Sequence, residues 1–128
     1  MSRFVRPETT TLTLANGDQL YVRTRLTAGE QRASFARMYS PNGDGGYRRN
    51  LLMVRMGTIL AYLLDWTLTD DAGRRVEIRD LSLDDLQRVI DSLDVESFAE
   101  IGSAIDAHEA AMLAAREAEK KTAGETPS

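Results

Sequence analysis

The chain contains no cysteine and one histidine, His108, among its 128 residues. The absence of cysteine excludes disulfides, thiolate metal sites and thiol nucleophiles. A single histidine leaves little with which to build a histidine-based metal cluster or a catalytic triad, and this one falls on an apolar face of the last predicted helix. We therefore interpret His108 as a packing or interface residue. We expect no cofactor and no metal ion, and an enzyme is the least favoured functional class.

Long apolar runs are also lacking. The first ten residues contain no hydrophobic segment, so a secretion signal is not expected and the cytoplasm is the default location. The most apolar stretch, residues 51–64, is too short to cross a bilayer comfortably and carries Arg55 near its centre. As a helix it is apolar almost all round, which predicts burial in a small core or between subunits.

Each half of the chain is poor in charge of one sign. Residues 1–64 carry nine arginines and four acids, whereas residues 65–128 carry seven basic and sixteen acidic residues, for a net charge of −4. Such a polarised chain can pair its halves internally, stack head to tail with copies of itself, or present two ordinary solvated faces.

Two local signals define the first part of the chain. Residues alternate between apolar and polar on both sides of Asn16-Gly17, a dipeptide that accepts the positive φ angles of a tight turn, and this predicts a β-hairpin. Thr27 and Glu30 form a capping-box pattern, which predicts a helix over residues 28–39. This helix should offer its aromatic residues to the core.

The middle of the chain predicts a loop, a helix and short extended pieces. Residues 41–46 contain proline, asparagine, aspartate and three glycines, which indicates a flexible connector. The apolar helix should follow over residues 49–64. Two extended pieces around the turn at residues 70–73 make a second short hairpin an option between the second and third helices.

Two further helices complete the prediction. Ser82 marks the start of a third helix, and Asp94 can cap a final helix that runs from Val95 to about Lys120. Five residues of the final helix recur every 3.5 positions on average, as in a helix-packing face: Phe98, Ile101, Ile105, His108 and Met112. The sequence thus predicts a mainly helical α+β domain over residues 1–120 and a disordered tail over residues 121–128.

Two groups of residues are candidates for partner or self contacts. Arg48 and Arg49 precede the apolar helix and, with Arg55, form a basic cluster beside the glycine-rich loop. A solvated surface, docking on an acidic protein surface and, third, contact with nucleic acid all remain open, although the overall acidity weakens the last. The second group lies on the final helix, where a core face would show the same pattern: Phe98, Ile101, Ile105 and Met112.

The order of these elements resembles that of small tail proteins from long-tailed bacteriophages and prophages, in particular the tail assembly chaperones. The similarity covers about residues 8–120. Its most distinctive part is LLDWTLTDDAGRRVEI (63–78), preceded by RLTAGEQR (25–32) and followed by the helical segment LSLDDLQRVIDSLDVESFAEIGSAIDAHEAA (81–111).

The resemblance implies a non-enzymatic chaperone in the host cytoplasm that coats the tape-measure protein until tail-tube subunits polymerise around it. Other tail proteins and further copies of the chain are additional expected partners, and a membrane is not. The resemblance also implies that a longer, frameshifted product accompanies many such proteins. Two alternatives stay open: a structural component of the neck or tail of the particle, and a small DNA-binding regulator with its arginines on phosphates.

Overall fold

The computed structural model describes residues 3–124. These residues form a three-stranded antiparallel sheet, a separate two-stranded ribbon and four helices, which confirms the mainly helical α+β class and the N-terminal hairpin. In chain order the elements are β1 (Thr9–Thr13), β2 (Gln19–Arg23), α1 (Ala28–Met38), β3 (Tyr39–Pro41), β4 (Tyr47–Arg49), α2 (Leu51–Tyr62), β5 (Leu63–Trp66), α3 (Leu83–Asp91) and α4 (Val95–Gly124).

The N-terminal hairpin supplies two strands of the sheet. Leu12 of β1 lies opposite Leu20 of β2, and Gly17 in the connecting turn has a φ of +92°, which glycine adopts without strain. Strand β2 is central and also pairs with β5, where Leu20 lies opposite Trp66. Alternate residues of β2 are fully buried, so one face of the sheet covers the core.

Helices α1 and α2 form a closely packed antiparallel pair. The predicted capping box is present: the Thr27 side chain accepts a hydrogen bond from the Glu30 amide, and the Glu30 carboxylate accepts one from the Thr27 amide. At the contact, Ser34 Oγ donates to the Gly57 carbonyl over 3.3 Å. A Cβ atom at Gly57 would lie 3.0 Å from Met38 Cγ, so this glycine permits the close approach.

The apolar helix is a core element, which is one of the two locations that its sequence predicts. Residues 56–63 are all buried within one chain. The helix ends at Tyr62, however, and Leu63–Trp66 form strand β5 where the sequence predicts two more helical residues. Pairing with the edge of β2 and complete burial of Trp66, whose Nε1 donates to the Val76 carbonyl over 2.8 Å, override the helical periodicity.

The extended pairs differ from the prediction. Residues 41–46 do not simply connect two helices, because the chain pairs on both sides of them as β3 and β4. Between α2 and α3 only an isolated bridge joins Thr69 to Arg75. Its turn is closed by Asp70, whose Oδ1 accepts hydrogen bonds from the amides of Ala72 and Arg74.

Both C-terminal helices begin at the predicted caps. Ser82 accepts a hydrogen bond from the Asp85 amide, and Asp94 accepts one from the Ser97 amide over 2.8 Å. Helix α4 extends to Gly124, so the first part of the predicted disordered tail is helical, and residues 125–128 lie outside the described residues. The core combines α2, the inner sheet face and one face each of α3 and α4; its fully buried large side chains are Leu20, Val22, Ile59, Trp66, Ile90, Ile101 and Ile105.

Candidate interaction surfaces

The residues predicted to form a contact face on α4 differ in how deeply they are buried. Ile101 and Ile105 retain at most 1% of their exposed area, because the sheet and α2 cover them. Phe98 is partly buried against the same cluster, and Met112 is partly buried at the limit of the packed region. In the folded chain the two isoleucines therefore form no surface for a partner. Their 3.5-residue spacing reflects intramolecular packing.

Arg55 also has a partner within the chain. Its side chain crosses α4 at Gly102, where an added Cβ would lie 2.6 Å from Arg55 Nε, well inside van der Waals contact. The guanidinium then reaches Asp106, with 3.6 Å between Nη2 and Oδ2. Arg55 thus joins α2 to α4. Arg48 and Arg49, by contrast, lie exposed on β4.

His108 fastens α4 to the end of β2. Its Nε2 lies 3.1 Å from the Arg23 carbonyl oxygen and 3.0 Å from that of Thr24. Because carbonyl oxygens only accept hydrogen bonds, Nε2 must carry the proton and donate to both. The ring also packs edge-on against Tyr62, with centroids 5.8 Å apart. This buried histidine is structural, in agreement with its interpretation as a packing residue.

The Tyr62 side chain at this contact has a shifted pKa. Burial of its phenol, followed by the neighbouring Glu109 carboxylate, raises the pKa of Tyr62 well above its ordinary value. Both causes disfavour the phenolate, so the phenol keeps its proton. The Tyr62 phenol is therefore an uncharged packing partner for the His108 ring.

The ribbon of β3 and β4, residues 39–49 with their loop, forms a projecting β-arm. Every residue from Tyr39 to Arg49 is exposed. At its base the Asn50 amide donates to the Met38 carbonyl over 2.5 Å. At its tip the Asn42 side chain accepts hydrogen bonds from the amides of Asp44 and Gly46. Backbone and side-chain hydrogen bonds, with little burial, hold the arm together.

One face of the β-arm is aromatic. Tyr39 lies opposite Arg49, and Pro41 lies opposite Tyr47, so these four residues share one face. Side chains alternate along a strand, and Arg48 therefore belongs to the other face. Tyr47 is 75% exposed. Phe35, half-exposed on α1, meets Tyr39 edge-on at a centroid distance of 6.4 Å and extends the aromatic face. Sequence reasoning placed Phe35 and Tyr39 in the core and did not select Tyr47.

The charge of the β-arm is equally uneven. Residues 39–49 contain two arginines and one aspartate. No ion pair involves Arg48 or Arg49 among the residues that the structure describes. The arm therefore presents exposed aromatic rings together with uncompensated positive charge on both of its faces, which is a composition typical of protein interfaces.

An acidic surface lies on α3 and the first turns of α4. Between residues 80 and 100 the chain has seven carboxylates and one arginine, Arg88, which pairs with Asp85. Asp94 caps α4, and its hydrogen bonds from Ser97 lower the pKa of that carboxyl below its ordinary value. Exposed apolar side chains interrupt the acidic residues: Leu81, Leu83 and Val95, the last 83% exposed.

Past the core, α4 continues as a helix that no other described element covers. Residues 113–121, here called the free end of α4, are all exposed, and Leu113 keeps 58% of its area. At 1.5 Å per residue, the 30-residue helix is about 45 Å long. Four exposed alanines recur at spacings of four, three and four and so share one face: Ala107, Ala111, Ala114 and Ala118.

A groove lies on the outer face of the sheet. Tyr21, Arg75 and Arg79 line it, but Arg75 already pairs with Asp65 over 2.7 Å and donates to the Trp66 carbonyl. Over residues 3–124, no group of three histidine, aspartate or glutamate side chains is placed to hold a metal ion. In the same part of the chain, no helix has the length and apolarity needed to cross a membrane.

The sequence carried one unused signal for the β-arm. Tyrosines flank both sides of the glycine-rich loop, and arginines follow the second one directly. An aromatic and basic pattern on two short extended segments is better suited to a surface ribbon than to a connector.

This chain matches no protein-family model, no curated protein and no solved structure in comparisons with known proteins.

Proposed function

We propose that this protein is a phage tail assembly chaperone, a non-enzymatic protein that binds the tape-measure protein and shields it during tail assembly. The proposal combines the resemblance of residues 8–120 with one structural observation, the free end of α4. The core is closed within one chain, yet this helix continues beyond it, and no element within residues 3–124 packs on that part.

The exposure and the small side chains of the free end suit packing against a second helix. Most helical stability in proteins comes from packing, and an isolated helix of about a dozen residues is marginal in water. The alanine face offers small side chains that let a second backbone approach closely, and Leu113 adds an exposed apolar contact. A long helical partner such as a tape-measure protein fits this surface.

Co-expression with the tape-measure protein of the same genome tests the proposal. We expect the chain to keep that protein soluble and to co-purify with it. Replacing Ala111 and Ala114 by glutamine should abolish co-purification, because bulkier side chains prevent close helix approach while helix propensity is kept. Arg116→Gln with Lys120→Gln places the same side chains elsewhere on the free end and should leave binding intact.

Three results would overturn the proposal. A tape-measure protein that is equally insoluble with and without this chain would remove the chaperone activity. Abundant peptides of this chain in the mass spectrum of purified virions would instead identify a structural component. Strong, salt-sensitive retention of DNA in a filter-binding assay would favour a regulator, since phosphate contacts weaken steeply with salt.

A further inference from the structure

We propose that the β-arm of one copy docks on the acidic surface of a second copy, so that the chain associates head to tail. This inference does not depend on the proposed function. It concerns two surfaces outside the alanine face of α4, and it can be tested on the purified chain alone.

Charge complementarity identifies the occupant. The β-arm carries Arg48 and Arg49 without ion-pair partners among the described residues, whereas residues 80–100 carry an excess of six negative charges. Both regions are exposed, and no ion pair joins them among the described residues. A second copy supplies the missing opposite charge to each surface, and such complementarity both steers association and excludes like-charged orientations.

Apolar side chains occur in both surfaces. The arm presents Tyr39 and Tyr47 on one face, and the acidic surface presents Leu83 and Val95 between its carboxylates. Large exposed aromatic residues next to arginine are the residue types that dominate binding energy at interfaces. Two surfaces that were only charged would give weak, readily screened contacts, whereas these can also bury apolar area.

The contact is heterologous, because the arm and the acidic surface are different parts of the molecule. An open assembly then keeps one unused arm at one end and one unused acidic surface at the other. Such contacts close into a ring or continue as an open chain of subunits, depending on the rotation between neighbours. Oligomers larger than dimers are therefore expected as concentration rises.

Sedimentation velocity at increasing protein concentration tests the inference. Wild-type chain should form concentration-dependent oligomers that dissociate as salt is raised. Arg48→Glu with Arg49→Glu should raise the dissociation constant by about tenfold or more. Arg25→Glu with Arg32→Glu makes the same change in net charge at two exposed positions outside the arm and should retain association.

The acidic surface has an equivalent pair of variants. Asp91→Lys with Glu96→Lys reverses two exposed carboxylates, and Asp91 lies in the last turn of α3, where a cation suits the helix dipole. This variant should also have a dissociation constant raised by about tenfold or more. Asp71→Lys with Glu77→Lys is the matched control in the exposed segment between α2 and α3, and it should associate as wild type does.

Mixing the two defective variants gives the decisive result. The intact arm of the acidic-surface variant can dock on the intact acidic surface of the arm variant, and the two reversed surfaces are again opposite in charge. An equimolar mixture should therefore recover association that neither variant shows alone at the same concentration. A wild-type monomer at every concentration, unchanged association of either variant, or failure of the mixture to associate would each overturn the inference, with circular dichroism confirming that all variants fold.

Discussion

The two halves of α4 belong to one continuous helix but differ in what surrounds them. Over residues 98–108 the helix packs against the sheet and α2, with Ile101 and Ile105 buried and Gly102 admitting the side chain of Arg55. Over residues 113–121 the same helix is exposed on every side. Helical periodicity identifies a face, but only the position of neighbouring elements decides whether that face is core or available surface.

The largest expected difference between the halves comes from apolar truncation. Ile105→Ala should lower the free energy of unfolding by about 2–5 kcal/mol, since it leaves a cavity in a closed core. Leu113→Ala removes a similar side chain from the free end and should change the free energy by no more than about 0.5 kcal/mol. Urea unfolding followed by circular dichroism measures both, and equal losses would show that a neighbour covers Leu113.

His108 provides the next test of the packed half. His108→Ala should cost about 1–3 kcal/mol, because the Arg23 and Thr24 carbonyls lose their shared donor and the ring contact with Tyr62 disappears. His108→Gln can restore a donor and should recover part of the loss. If alanine and glutamine variants are as stable as wild type, the histidine does not fasten α4 to β2.

The crossing of Arg55 over Gly102 predicts a coupled pair of substitutions. In the wild-type background Gly102→Ala should destabilise the protein, because the new methyl displaces Arg55 and weakens its contact with Asp106. With Arg55→Ala already present, the same change should stabilise by up to about 1 kcal/mol through helix propensity.

A double-mutant cycle in urea measures this coupling directly. The two substitutions touch the same space, so a coupling energy of about 0.5 kcal/mol or more is expected between them. Additive effects would mean that the two side chains occupy separate positions and that Gly102 is not required for this helix crossing.

Much of the fold could be predicted because its signals are local. The Asn16-Gly17 turn, the Thr27 capping box and the Ser82 cap each act within four residues, and all three are present in the structure. Strand β5 could not be predicted in the same way. Its residues continue a helical pattern, and only pairing with β2, more than forty positions earlier in the chain, makes them extended.

The candidate surfaces were harder to predict from sequence, because exposure also depends on contacts between distant parts of the chain. Arg48 and Arg49 were selected and lie exposed, but Arg55 from the same cluster reaches α4. Ile101 and Ile105 were selected with Met112 by spacing, although the sheet covers the first two. Exposure of Tyr47 follows from the β-arm standing away from the core, and no local pattern states how far a hairpin projects.

The smallest expected effect concerns two exposed alanines, one in each half of α4. Ala107→Gly should lower the free energy of unfolding by about 1 kcal/mol, because glycine costs this much in a helix that unfolds together with the body. Ala115→Gly carries the same intrinsic cost. It should nevertheless leave global unfolding almost unchanged, since an uncovered helix end opens locally before the core does.

Amide hydrogen exchange distinguishes these two outcomes. Ala115→Gly should accelerate exchange of amides near residue 115 while leaving those of the packed half at wild-type rates. Ala107→Gly should accelerate exchange throughout the core in proportion to the lost stability. Equal effects of the two substitutions on global unfolding would show that α4 folds as one cooperative unit. In that case the free end would need no partner for its stability, and the proposal of a helix-binding role would lose its structural support.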